Sequence, residues 1–231
     1  MGGKLRALAI DGPAGAGKST ISEAVSRELG WLHVDTGAMF RAVALYLLDT
    51  GTDTGNREEV AAALKGAEVS CRVESGEQRI LLNGEDVTEK LRAEEVGNTA
   101  SAVSAYPEVR TRLLALQRSI AAAQPVVMDG RDIGTVVLPD AETKVYLTAR
   151  AKVRALRRFR ELIARGEPCD VLEIEKDIEE RDYRDMHRKT APLVQADDAV
   201  LVDTSDMTKD EVVRRILSLV HKNEAEPGDP A

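Results

Sequence analysis

Three side chains near the start of the chain, Lys18, Ser19 and Thr20, follow a run of small residues, Gly12, Pro13, Ala14, Gly15, Ala16 and Gly17. Gly12, Gly17, Lys18 and Ser19 satisfy the spacing G-x-x-x-x-G-K-[ST] of a phosphate-binding loop. The spacing has a physical cause. Glycines let the backbone adopt positive φ and approach a phosphate chain closely. Successive N–H groups then turn inward as an anion nest, and the helix that follows adds its positive end. Lys18 would neutralise β- and γ-phosphate charge, and the Ser19 hydroxyl would ligate Mg²⁺. The loop points to a nucleoside triphosphate and leaves open what happens to the phosphate.

A second set of chemistry-bearing residues is spread along the chain. Arg41, Arg110, Arg131, Arg181 and Arg188 belong to different elements, several just after strand ends or at helix starts. A lone arginine is usually a solvated surface charge. A set at the functional edge of a sheet suits a second anionic ligand facing the nucleotide, because guanidinium forks match phosphate oxygens and stay charged. Such an arrangement serves phosphoryl transfer, which needs alignment and positive charge more than covalent help. A basic helix from Arg150 to Arg165 is read as a lid over the ATP, in preference to a solvated face or an RNA-binding patch. Asp129, at a strand end, either assists Mg²⁺ through water or caps the next turn.

The elements that must position these groups alternate between strand and helix. Apolar runs at Leu8–Ile10, Trp31–Val34, Pro125–Met128, Lys144–Leu147 and Ala199–Val202 read as buried strands. Helical patterns cover Ser19–Leu29, Met39–Leu48, Arg57–Leu64, Glu89–Ala102, a stretch after Pro107, Val171 to about His187, and Lys209–Val220. Alternation at Glu68–Val73, a Ser75-Gly76 turn, Arg79–Leu82 and the turn signal Asn83-Gly84 read instead as a small antiparallel meander. The fold class is therefore α/β: a three-layer P-loop NTPase fold with a five-stranded parallel sheet, a small antiparallel insert lobe and a short helical lid. The expected division is core at 1–35, a monophosphate-binding region at 36–96 with the insert at about 67–88, and core at 97–150. A lid at 151–169, core at 170–222 and a disordered tail at 223–231 complete it.

Composition narrows the class. The 231 residues suit one domain with small lobes, and the net charge of −8 argues against general nucleic-acid binding. Cys71 and Cys169 lack metal or redox spacing and read as free thiols, and Cys71 and His33 are taken as packing rather than chemistry. No apolar run spans a membrane and no signal peptide is visible, so the expected location is the cytoplasm. The absence of an exposed apolar heptad points to a monomer.

Several blocks together resemble the bacterial cytidylate (CMP/dCMP) kinases of the nucleoside monophosphate kinase group. They are Ile10-Asp-Gly-Pro-Ala-Gly-Ala-Gly-Lys-Ser-Thr20, Asp35-Thr-Gly-Ala-Met-Phe-Arg41, Leu82-Asn-Gly-Glu-Asp-Val-Thr88 and Ser101-Ala-Val-Ser-Ala-Tyr-Pro-Glu-Val-Arg110. Asp129-Gly-Arg-Asp-Ile-Gly-Thr-Val-Val137 and Glu180-Arg-Asp-Tyr-Arg-Asp-Met-His-Arg188 with Ala191-Pro-Leu193 are the more specific ones. The resemblance implies phosphoryl transfer from ATP, with Mg²⁺, to CMP and dCMP. It implies that Ser101, Arg110 and Asp132 read cytosine, and that Thr36, Arg41, Arg131 and Arg181 hold the acceptor phosphate. It also implies that Asp185 and Arg188 position the ribose. Lys18, Arg131, Arg181 and Arg158 form the implied catalytic set, and Arg154 and Arg157 join the loop 12–20 in binding ATP. The three lid arginines match the family's pattern, which leaves open which one reaches the transferring group. Thr36 stands where the family often has Ser, and Phe40 where it often has Tyr.

Overall fold

The run at Leu8–Ile10 is the middle of a longer strand, β1 (Leu5–Asp11), in a computed structural model that describes residues 5–74 and 77–225. Alternation splits β1 between two faces. Leu8 and Ile10 are fully buried in a cluster with Ile21 and Val25, Val145 and Leu147, and Val212 and Ile216. Ala7 and Ala9, equally buried on the other face, keep that side of the strand thin. The turn after β1 leads into helix α1 (Lys18–Leu29), which Gly30 ends in the left-handed conformation. Strand β2 (Leu32–Asp35) and helix α2 (Thr36–Asp49) follow. Helix α2 thus begins three residues ahead of the pattern that starts at Met39. Asp35 caps the helix, its carboxylate accepting the Ala38 N–H at 3.1 Å.

Helix α3 (Arg57–Ala63) precedes the meander β3 (Val69–Glu74), β4 (Glu77–Leu82) and β5 (Glu85–Asp86). The three strands form a separate antiparallel sheet in the order β3-β4-β5. The expected Ser75-Gly76 turn lies outside the described residues. Helix α4 (Glu94–Val103) starts later than the pattern from Glu89 suggested, because Lys90–Arg92 forms a short 3₁₀ turn instead. Helix α5 (Pro107–Ala123) has its proline in the first turn, where no donor is lost.

Strand β6 (Val126–Gly130) leads to a feature that periodicity did not announce, a π-helical turn at Ile133–Val137. After it come β7 (Ala141–Thr148), α6 (Ala151–Ala164), α7 (Val171–His187), β8 (Val200–Asp203) and α8 (Lys209–Ala225). The parallel sheet has the order β2-β6-β1-β7-β8. The tail expected from Asn223 begins later, since residues 223–225 continue α8. Asn223 is held there by bonds to the Glu142 carbonyl at 3.1 Å and the Thr143 hydroxyl at 2.9 Å. Residues 226–231 lie outside the described residues. Two compact units emerge, one of Met1–Trp31 with Val127–Ala231 and the other of Leu32–Val126. No helix among the described residues is long and apolar enough to cross a membrane.

Candidate active site

The first unit carries the phosphate-binding loop. A Cβ at Gly12 would overlap the Leu147 carbonyl oxygen on the neighbouring strand, so only glycine fits where β1 turns. Gly17, at φ 87°, supplies the left-handed residue that starts α1. Lys18 folds back over the loop, its ammonium donating to the Pro13 carbonyl at 2.8 Å. Burial first, then the Arg131 guanidinium, pushes Lys18 well below the ordinary lysine range, while the Asp129 and Asp11 carboxylates oppose the shift. Arg181 also bears on Lys18. The loop lysine and two of the predicted arginines therefore share one electrostatic site.

The Ser19 hydroxyl donates to the Asp129 carboxylate at 3.0 Å across the loop. Asp129 thus meets the hydroxyl that the motif spacing offers as a Mg²⁺ ligand. Hydroxyl and carboxylate oxygens are the hard donors Mg²⁺ prefers.

Around the end of β6 lie three of the arginines, Arg131, Arg181 and Arg188. Arg131 donates through Nε to Asp185 at 2.9 Å, and the Arg188 guanidinium lies 3.8 Å from the same carboxylate and 3.7 Å from Asp132. Burial raises the Asp185 carboxyl, but Arg131, Arg188 and Arg181 outweigh it and hold it below the usual carboxylate range. Arg131, Asp132, Arg181, Asp185 and Arg188 are thus brought together by β6, the loop after it and the last two turns of α7.

The lid arginines part company. Arg154 is buried and spent on three acceptors: the Ala149 carbonyl and the Ala14 carbonyl, each at 2.8 Å, and Asp182 at 2.5 Å. It braces the phosphate loop from behind. Arg157 donates to the Thr204 carbonyl at 2.8 Å and its hydroxyl at 3.2 Å. Arg158 is half-exposed, with one contact of 3.4 Å to Glu161 on its own helix.

The second unit carries Thr36, Arg41, Ser101 and Arg110. Thr36 opens α2, and Arg41 lies one turn on, 3.5 Å from Asp35. The Asp35 backbone N–H donates to the Gln78 side chain of β4 at 2.9 Å, which ties the insert to the start of α2. Ser101 sits in α4. Arg110 in α5 donates to the Ser104 carbonyl at 3.1 Å, and its guanidinium lies 5.5 Å from the Phe40 ring centroid. Phe40 lacks the hydroxyl of a tyrosine but supplies the aromatic face that seats this arginine.

Four residues escaped the motif reading: Asp11, Gln78, Asp182 and Thr204. Asp11 had the strongest signal available, an acid at the last position of the strand that feeds the loop. The other three carry no spacing signature, since their partners are 43 or more residues away in sequence, except for the 28 that separate Asp182 from Arg154.

The family model described as cytidylate kinase matches residues 8–222. A cytidylate kinase from Caldicellulosiruptor saccharolyticus is 46% identical over 93% of this chain and 95% of its own length. One from Desulfitobacterium hafniense is 48% identical over 92% of this chain and 91% of its own. Among solved structures, a shikimate kinase from Bacteroides thetaiotaomicron aligns with TM-score 0.45 and 15% identity, covering 93% of this chain and 98% of that one.

Proposed function

The chain belongs to the cytidylate kinase family, and from that premise we propose that it transfers the γ-phosphoryl group of ATP to CMP and dCMP. The products are ADP with CDP or dCDP. The observation that carries this reading is that one unit holds both Lys18, folded over the phosphate loop, and the arginines that converge on Asp185. A lysine on the donor side and arginines on the acceptor side of one site are what transfer between two phosphates requires.

On this reading Lys18 leaves the Pro13 carbonyl when a triphosphate enters, exchanging a neutral acceptor for charged oxygens. The loop N–H groups of 12–20 hold the β-phosphate. Ser19, with Asp129 behind it, would hold Mg²⁺, which supplies charge neutralisation at the β- and γ-oxygens. Thr36, Arg41, Arg131 and Arg181 hold the acceptor phosphate. Asp185 serves twice, fixing Arg131 and receiving the ribose together with Arg188. Ser101 and Arg110 donate to the O2 and N3 of cytosine, and Asp132 accepts from its amine. Uracil would set a carbonyl against that carboxylate, leaving two buried acceptors face to face. Arg158, the least committed of the lid arginines, is assigned to the transferring group, and Arg157 to the ATP side. Residues 151–169 act as the lid.

A coupled ADP-release assay with Mg-ATP and each of CMP, dCMP, UMP, AMP and GMP tests the reading. CMP and dCMP should turn over, with UMP lower by about 100-fold in kcat/KM. Turnover with none of the five would overturn it, and a preference for another base would overturn the cytosine assignment alone.

A further inference from the structure

Asp11 has no part in the chemistry described above, yet it is one of the most buried acids in the first unit, 5% exposed at the end of β1. Both of its oxygens are engaged. Oδ1 accepts the Ile133 N–H at 2.7 Å, and Oδ2 accepts the Gly134 N–H at 2.7 Å. These are consecutive amides at the start of the π-helical turn, immediately after Asp132. The Asp132 carbonyl in turn accepts from Val136 at 2.9 Å and Val137 at 3.1 Å. The backbone of Asp132 is therefore pinned on its C-terminal side by one carboxylate and by the first loop of the turn.

The fit is close. A Cβ on Gly134 would come within 3.4 Å of Asp11 Oδ2 and 3.1 Å of the Lys144 side chain. Glycine at 134 allows the carboxylate to approach. Burying a carboxylate under two neutral amides is costly unless its charge is used. Here the charge faces the donor end of a helical turn, where unpaired N–H groups concentrate. The arrangement also holds two acids close enough for the Asp132 carboxylate to repel Asp11. The two amide bonds tie the 131–134 segment directly to the end of β1.

We propose that Asp11 is a positioning residue for base recognition, its carboxylate clamping the Ile133 and Gly134 amides so that Asp132 meets the acceptor base at a fixed point. The inference rests on the reading that Asp132 accepts the cytosine amine. Asp11 sits one residue before the phosphate loop, so the same strand end that starts the ATP site sets the register of the base reader. A merely structural anchor would lower stability and weaken all substrates alike. A positioning residue changes discrimination between bases.

Three variants, Asp132→Asn, Asp11→Asn and Gly134→Ala, separate the possibilities when kcat and KM are measured with CMP, UMP and ATP. Asp132→Asn should collapse the CMP-to-UMP ratio of kcat/KM. If it leaves the ratio unchanged, Asp132 does not read the base, and the role of Asp11 falls with it. Given that collapse, Asp11→Asn keeps one acceptor and loses the other. It should raise KM for CMP and lower the CMP-to-UMP ratio about tenfold, with KM for ATP changed less than about threefold. Gly134→Ala crowds the same clamp from the amide side and should shift the ratio in the same direction, which keeps the test open should Asp11→Asn fail to fold. An unchanged ratio, with CMP and UMP losing activity equally, would reduce Asp11 to a structural anchor and overturn the proposal.

Discussion

Arg181 and Arg131 differ in how much structure depends on them, although both are assigned to the acceptor phosphate. Arg131 is bonded to the buried Asp185 at 2.9 Å, so its removal also exposes a carboxylate to loss of its nearest partner. Arg188 remains beside that carboxylate and limits the damage. Arg181→Ala and Arg131→Ala should each lower kcat by about 10³-fold or more, because charge on the equatorial oxygens is the main aid the protein gives to phosphoryl transfer. Circular dichroism should show the fold retained in both, with the larger drop in melting temperature for Arg131→Ala. Activity within tenfold of wild type would remove either residue from the transfer site. Phe40 keeps beneath Arg110 the ring face that a tyrosine would also supply, and lacks only the hydroxyl.

At the level of elements, α6 presents two kinds of arginine four residues apart. Arg154 is buried between the Ala14 and Ala149 carbonyls and Asp182, whereas Arg158 is half-exposed with one partner on its own helix. Removing one member of a buried charged pair costs on the order of 3–5 kcal/mol, because the other charge stays behind without compensation. Arg154→Ala should therefore lower the denaturation midpoint strongly and raise KM for ATP. Arg158→Ala should leave the unfolding free energy unchanged within about 0.5 kcal/mol and lower kcat. Denaturant titration and steady-state kinetics on the two proteins check both halves. The antiparallel insert makes a comparable contribution through one side chain. Gln78 of β4 accepts the N–H of Asp35, the residue that caps α2 and lies beside Arg41. Gln78→Ala should raise KM for CMP several-fold with little change in kcat. Gln78→Glu, which retains an acceptor oxygen, should restore it, and equal KM values in all three proteins would dissociate the insert from acceptor binding.

Across the whole molecule, one buried acid shapes the pH dependence of stability. Burial raises the Asp11 carboxyl from an ordinary 3.8 to about 6, repulsion from Asp132 adds to this, and the two amide bonds and Lys18 pull the other way. A folded value above the unfolded one means the folded state binds the extra proton between the two values. The contribution is full below about 3.8 and is lost as the pH rises through about 6. Between pH 5 and pH 7.5 the wild type should lose about 1.4 kcal/mol relative to Asp11→Asn. Unfolding of the two proteins by urea at both pH values measures it. A constant difference would place the Asp11 titration outside this range.

The phosphate loop, the α/β class and the antiparallel insert were all legible in the amino-acid order, because each rests on local causes. Glycines at 12, 15 and 17 permit backbone that other residues resist, apolar runs bury as strands, and alternation at 68–82 sets a two-residue period. Of the arginines singled out in the sequence, Arg131, Arg181 and Arg188 gather around Asp185 from the loop after β6 and from α7, whereas Arg41 and Arg110 belong to α2 and α5 of the other unit. What local pattern does not contain is the partner of a buried charge. That Arg154 braces the loop, that Asp11 pins the turn after Asp132, and that Gln78 ties β4 to the start of α2 depend on residues distant in sequence. The π-helical turn at Ile133–Val137 belongs with them, because its first amides are satisfied by a carboxylate from another strand rather than by any signal of its own. Residue types and their spacing determined which groups this chain brings to phosphoryl transfer. Tertiary structure alone decided which of them stay partly open to solvent and which hold the others in place, because desolvation makes each buried charge find its partner wherever the fold supplies one.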